Sequence, residues 1–323
     1  MNAMTETILD RPGIYELDGE TYHRDPAPAP SLSSTLAKLM LAQSPLHAWT
    51  ACPRLNPEWE PVDKKTFDIG RAAHRAILGK GANYVPIPDE LLASNGAAST
   101  KAAKEFIASA RDAGATPLKS AEVDGIEAMR AVAHDRLAGM GVSLDPARSE
   151  LVALAKIDGI WCRAMFDNVP LAAGAPIYDL KTCESAAPHA CERAILNYGY
   201  DVQAEHYRQV WKAATGEDRP FRFVFQEKSA PYEVCVVELG DDSLMMARKK
   251  IARAREIWRI CLRDDHWPGY PPGVHRIDLP EWFHERWLER ESVEADHKRR
   301  TGADIIEAAR LWQAPQGYQG AAE

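Results

Sequence analysis

Asp158-Gly159 stands between two apolar runs, residues 150–157 (ELVALAKI) and 160–169 (IWCRAMFDNV). Asp-Gly so flanked is a strong signal for a two-residue type I′ hairpin turn, because both central residues of that turn need positive φ. The chain must therefore reverse here and pair the two runs. A third strand-like run, 176–182 (PIYDLKT), follows a Gly-Ala-Pro turn. Three strands in quick succession commit the middle of the chain to a sheet whose faces need covering.

The covers are legible on either side. SLSSTLAKLMLAQSPLHAW starts a helix, with Ser31, Ser33 and Ser34 as candidate N-caps. Pro45 either ends that helix or opens the next turn. Further helices are expected over 66–79, 98–113 and 119–139, with 80–98 as loop. After the third strand come helices over 186–197 and 200–214. Strands over 221–226 and 232–239 follow, then a helix over 241–263 capped by Asp241 or Asp242. Leu244, Ala247, Ile251, Ala254, Trp258 and Cys261 give that last helix a clean apolar stripe. The expected fold class is α/β: a mixed central sheet flanked by helices, with an N-terminal helical region. The expected organisation is an extended arm over 1–30, ending in DPAPAP. One domain spans 31–290, with a helical part 31–141 and a catalytic core 148–263. A charged helix or tail covers 291–323.

Composition excludes several classes. The 323 residues are 46% apolar and 27% charged, ordinary globular usage that needs no covalent staple. Thirty-nine Lys and Arg against 47 Asp and Glu leave a net charge of −8. That excludes a generally basic nucleic-acid coat, but not one basic groove, because local charge decides contact. No pair of the six cysteines is spaced CxxC, which excludes a zinc ribbon and a CxxC iron–sulfur pattern. Reduced, mostly buried thiols are the simplest reading. No apolar stretch is long enough to span a membrane, and the start lacks the apolar segment of a signal peptide. A cytoplasmic location is expected, with translation starting at Met1 or Met4.

The polar residues inside the strand block carry the chemistry. Asp167 ends one strand. Asp179 and Lys181 lie two apart on the next and share a face. A carboxylate in a core strand is costly unless paired or bound to metal. Two carboxylates together call for a divalent cation, and oxygen ligands suit Mg²⁺ or Mn²⁺. From spacing alone, a structural Asp179–Lys181 ion pair with Asp167 capping a turn explains these residues equally well.

Asp167, eleven residues, then Asp179-Leu180-Lys181 resembles the D-x(n)-(D/E)-x-K signature of the PD-(D/E)XK nuclease superfamily. GIYELDGETYHRDPAPAPSLSSTLAKLM, SPLHAW, FDIGRAAH, ELVALAKIDGIWCRAMFDNV, YDLKT, YGYDVQAEHYRQVW and DDHWPGY occur in order. Together they are similar, over about 14–290, to exonuclease VIII-type nuclease domains of prophage recombination. The phage lambda exonuclease type is a more distant relative.

The resemblance implies roles. Asp167, Asp179 and the Leu180 carbonyl are metal ligands, and Lys181 is catalytic. Glu150 opens the hairpin as a further catalytic carboxylate. Gln203 and Tyr207 form a Q-x-x-x-Y pair on one helical face, Gln203 catalytic and Tyr207 substrate-binding. His74, in a G-x-x-x-H helix, is a catalytic residue or metal ligand; without the motif it reads as a packed or surface histidine. Arg71, Arg75, Arg248 and Arg255 are candidate phosphate contacts; a solvated helix face is the alternative for the 241–263 cluster. Trp49, Trp59 and Trp267 are candidate base-stacking or packing residues. The chain departs from the family in having Phe166, not proline, before the first aspartate. Exonuclease VIII has Arg-Pro-Asp-Lys where this chain has Met165-Phe166-Asp167-Asn168.

The implied function is Mg²⁺-dependent 5′→3′ exonuclease action on double-stranded DNA ends, with Mn²⁺ as substitute and two ions per site. The 3′ overhangs would pass to a single-strand annealing protein, and the enzyme would be a homo-oligomeric ring. The competing readings are a non-catalytic DNA-end-binding module and an endonuclease of the same superfamily used in repair or restriction.

Overall fold

The computed structural model describes residues 8–60, 68–81 and 83–311. The chain divides into two compact units, Met1–Tyr270 and Pro271–Glu323.

The first unit opens with strand β1 (Gly13–Glu16) and a short helix α1 (Gly19–His23). The arm expected to be extended thus carries structure. β1 pairs antiparallel with a later strand, and Asp25 is buried, its carboxylate 3.1 Å from Arg163. Helices α2 (Ser34–Ala42) and α3 (Pro45–Thr50) replace the single helix. Ser33 caps α2 by accepting from the Leu36 N–H, and Pro45 takes the first position of α3, where its missing N–H costs nothing. Helix α4 (Asp68–Leu78) follows; residues 66 and 67 of its expected range lie outside the described residues.

Residues 80–98 are not all loop. Strand β2 (Tyr84–Ile87), helix α5 (Lys101–Asp112) and strand β3 (Thr116–Lys119) build a two-stranded parallel sheet that leads into α6 (Ser120–Gly139). Both strands are four residues long, and β2 carries a proline. Neither gives a period clear enough to read from sequence.

The main sheet holds six strands: β1, β4 (Ser149–Ile157), β5 (Ile160–Asn168), β6 (Ile177–Cys183), β7 (Phe221–Glu227) and β8 (Val234–Glu238), in that spatial order. It is mixed and mostly antiparallel, with β6 and β7 the parallel pair. Asp158 at φ 51° and Gly159 at φ 84° form the expected hairpin turn between β4 and β5. Helices α7 (Pro188–Tyr198) and α8 (Tyr200–Thr215) make the β6–β7 crossover. α9 (Asp241–Asp264) follows β8. Its N-cap is Gly240; Asp241 and Asp242 lie in the first turn instead, where the helix dipole favours their charge.

Helices cover both faces. Phe166, Phe223, Phe225 and Trp258 centre one core beneath α2, α8 and α9. Leu118, Ile126, Met129, Leu180 and Val224 centre the other beneath α4 and α6. The six cysteines are free thiols, four buried and two half-buried.

The second unit contains α10 (Glu281–Thr301) and α11 (Ile305–Leu311), separated by Gly302 in the left-handed conformation. The expected boundary after residue 290 falls inside α10; the division lies at Tyr270 and Pro271. Among the described residues no helix is long and apolar enough to cross a membrane.

Candidate active site

The site forms where the β5–β6 ladder stops. Asn168 pairs with Tyr178, and no further pair follows. One step on, Asp167 and Asp179 occupy neighbouring positions, and the strands part there. The Leu180 N–H donates to Asp167 Oδ2 at 2.7 Å, so a carboxylate takes the place of a strand carbonyl. On the other side of β5, Glu150 lies between Ser149, paired with Asn168, and Leu151, paired with Phe166. Its φ of 53° turns it out of the regular ladder. Its carboxylate lies against Gly81, where a Cβ would come within 2.9 Å of Oε1. The topology therefore brings Glu150, Asp167 and Asp179 into one row across β4, β5 and β6.

Asp179 is 2% exposed. Gln203, from α8, donates its Nε2–H to Oδ1 at 2.8 Å. Oδ2 is engaged by the Lys181 ammonium in an ion pair. Burial pushes the Asp179 carboxyl up to about 6, and the Asp167 charge adds to this against the pull of Lys181. For Lys181, burial lowers the pKa, but Asp179 and Asp167 outweigh it and hold the ammonium above its ordinary value. The Lys181 Nζ also stands 4.9 Å from the Tyr200 ring centroid.

His74 reaches the same point from α4. Its Nε2 donates to the Leu180 carbonyl at 3.0 Å, and its Nδ1 lies 3.8 Å from Asp167 Oδ2. It thus touches two of the expected metal ligands at once. Among the described residues no group of three or more His, Cys, Asp or Glu side chains is close enough to hold a metal alone. The expected donor set is Asp167, Asp179, the Leu180 carbonyl and His74; its two carboxylates and carbonyl are hard oxygens, while the His74 Nε2 is turned onto the Leu180 carbonyl. Asp179 Oδ2, whose partner here is the Lys181 ammonium, is a hard oxygen of the same kind. The Leu180 carbonyl is spoken for by His74 as placed, so a cation there would take over that contact.

Other expected residues are elsewhere. Tyr207 is 7% exposed and packs edge-on against Phe166, with ring centroids 5.2 Å apart. Burial raises its hydroxyl pKa well above the usual range, and Tyr22 and Ser34 are its polar neighbours. Its ring is part of the core, with the Asp179 and Asp167 charges nearby. Phe166 uses that core too, meeting Trp211 edge-on at 5.5 Å, which gives an apolar residue a role where the family has proline. Arg255 is 7% exposed. Its Nε donates to Asp158 at 2.8 Å and its Nη1 to Gln209 at 2.6 Å, tying the hairpin turn to α8. Its partners give it a structural use in the fold. Arg248 is exposed and pairs with Glu205 at 2.9 Å. Arg71 pairs with Asp68 at 2.8 Å, and Arg75 donates to the Gly79 carbonyl at 2.6 Å. Trp267 packs edge-on against Trp258 at 5.0 Å.

Two residues outside the expected set converge on the site, Lys38 from α2 and Tyr200 at the start of α8. The signal in sequence was faint: Lys38 is the single charge in SLSSTLAKLMLA, and Tyr200 follows a Gly between two tyrosines.

The family model described as a PDDEXK-like domain of unknown function (DUF3799) matches residues 33–278. The chain belongs to this PDDEXK-like family. The matched span contains Asp167, Asp179, Lys181, Glu150, His74 and Gln203. Among solved structures, an exonuclease candidate from Eubacterium rectale is similar at a TM-score of 0.55 and 14% identity. The match covers 82% of this chain and 97% of that one. That likeness is one of fold. A phage-related exonuclease from Haemophilus somnus matches at a TM-score of 0.30 and 12% identity, over 60% of this chain and 95% of that one. No curated protein matches the sequence.

Proposed function

We propose that this PDDEXK-like chain is a metal-dependent deoxyribonuclease that degrades linear double-stranded DNA from its ends. Membership of the family supports a nuclease. The observation that carries the reading is the meeting of Asp167, Asp179 and Lys181 where β5 and β6 part, with Gln203 holding Asp179 from behind. Asp167 also accepts from the Leu180 N–H, but a purely structural Asp179–Lys181 pair does not need that acceptor to be a second carboxylate, placed beside it at the cost of mutual repulsion.

Asp167, Asp179 and the Leu180 carbonyl would hold the cation, Mg²⁺ or Mn²⁺, with two ions per site. When bound, such ions supply an activated water and stabilise the leaving oxygen of a phosphodiester. This chain's own groups do the rest. Gln203 fixes the Asp179 rotamer. His74 orients Asp167 and the Leu180 peptide. Lys181 places a preorganised positive charge where the phosphate gains negative charge. Glu150 offers a proton acceptor at the open end of the row. Digestion in the 5′→3′ direction, 3′ overhangs, a ring-shaped homo-oligomer and an annealing partner are supported by the resemblance to exonuclease VIII-type domains.

The test is digestion of linear and closed circular duplex DNA with Mg²⁺, then with EDTA. Loss of linear DNA alone is expected. Cutting of closed circles would favour an endonuclease, and binding without cutting would favour a non-catalytic end-binding module. Asp167→Asn and Asp179→Asn should each abolish digestion while the protein stays folded by circular dichroism. Each amide removes the anionic charge a cation needs. A near wild-type rate in either variant would refute the site.

A further inference from the structure

Lys38 lies in α2, and the structure sets it beside the site. Its stem rests on Gly199, the residue between α7 and α8. A Cβ at Gly199 would stand 3.1 Å from Lys38 Cδ, and the φ of 62° independently favours glycine. The Lys38 Nζ is 5.4 Å from the Tyr200 ring centroid, the same ring that Lys181 approaches at 4.9 Å. Two ammonium groups therefore share one aromatic ring.

Their circumstances differ. Lys181 is neutralised by Asp179. Among the described residues no carboxylate comes within ion-pair distance of Lys38. The nearby Asp201 pairs instead with Lys250 at 2.6 Å. Burial, then the Lys181 charge, pulls the Lys38 pKa down to about 8 against the opposing pull of Asp179 and Asp201. A half-buried cation beside a second cation, with no carboxylate at ion-pair distance of its own, can take up a further anion. An open groove of about 600 Å³ begins at this point, lined by Lys38, by the Lys250–Asp201 pair and by the apolar Leu196 and Tyr198. Tyr198 is 63% exposed, so its ring offers a base a stacking surface.

We propose that Lys38 is a substrate-binding residue whose ammonium contacts a DNA backbone phosphate next to the scissile one, with that strand lying in the groove between α2 and the α7–α8 junction. The assignment of DNA as the anion rests on the nuclease reading of the Asp167, Asp179, Lys181 site. Single-strand backbone supplies both features the groove asks for: regularly spaced phosphates, and bases able to lie on an exposed aromatic ring.

The experiment measures binding apart from cutting. A fluorescein-labelled duplex with a single-stranded overhang is titrated with the full chain, with Ca²⁺ replacing Mg²⁺ and strand integrity checked on a gel. Fluorescence anisotropy gives Kd at several KCl concentrations for wild type, Lys38→Met and Lys38→Arg. Lys38→Met should raise Kd about tenfold at low salt and reduce the slope of log Kd against log [KCl] by about 1, the signature of one lost phosphate contact. Lys38→Arg should restore both. The melting temperature of Lys38→Met should equal or exceed that of wild type, because a repelling charge has gone. A well-folded Lys38→Met with wild-type Kd and slope would overturn the proposal. So would an equal loss in Lys38→Arg, since charge would not then be what mattered. Wild-type protein that binds this duplex but cuts no DNA with Mg²⁺ or Mn²⁺ would sink the nuclease reading and leave the Lys38 comparison standing.

Discussion

Lys181 is the residue on which the two readings of the strand block divide. Its ammonium faces Asp179 and lies over Tyr200. As a structural partner it would matter to folding; as a catalytic cation it would matter to turnover. Lys181→Met keeps the stem and removes the charge. Single-turnover cleavage should fall by about 10²–10³, the usual cost of losing a preorganised charge. DNA affinity should change little, since other cations supply most of the salt-dependent binding. Cation affinity should persist, because both carboxylates remain. A folded variant with an unchanged single-turnover rate would remove Lys181 from the chemistry. Quench-flow rates and a Mg²⁺ titration on one preparation decide it. The neighbouring arginines teach the same lesson in reverse. Arg248 and Arg255 lie seven residues apart on α9 and look alike in sequence. One is exposed on Glu205, whereas the other is buried against Asp158 and Gln209. Which face of a helix is buried depends on what packs there, and the basic cluster could not say.

At the scale of elements, α8 crosses the sheet and does two jobs. Gln203 holds Asp179, and one turn later His206 is sealed into the core. The His206 Nε2 donates to the Arg163 carbonyl at 3.0 Å, while Nδ1 has no hydrogen-bond partner. Burial is the main cause that lowers its pKa to about 4, with the Arg255 and Arg163 charges adding to it. The unfolded chain takes up that proton near 6.5, so between 6.5 and 4 the unfolded state binds more protons than the folded one. The stability this histidine contributes is thus complete above pH 6.5 and is lost as pH falls towards 4. The loss amounts to roughly 3 kcal/mol. His206→Gln, which cannot be protonated, should show a smaller drop in melting temperature between pH 7 and pH 4.5 than wild type. Equal drops in thermal melts would show that other groups carry the acid sensitivity. The α8 periodicity was legible in sequence, yet it did not separate Gln203 from Tyr207. The two share a helical side, but one points at a gap between strands and the other at Phe166.

At the scale of the whole molecule, both apolar cores are built from residues up to Trp267, inside the first unit. A protein ending at Tyr270 should therefore keep the cooperative thermal transition of the full chain, within a few degrees, by circular dichroism. A chain that fails to fold would place structural weight on the second unit. The nuclease reading is testable on the same truncated protein, because every residue of the site lies before position 270. By itself, the sequence determined the β4–β5 hairpin, the helix–strand order of the sheet region and the pairing of Asp179 with Lys181 on one strand. It could do so because turn chemistry, hydrophobic period and strand alternation act between residues close in the chain. Only the tertiary structure decided that 13–16 closes the sheet as an edge strand, and that β2 and β3 pair across α5. It also decided that His74 bonds the Leu180 carbonyl 106 residues away. The same packing made Tyr207 and Arg255 core residues and brought Lys38 to Tyr200. These outcomes depend on which surfaces meet when distant segments pack, and no local pattern records that choice.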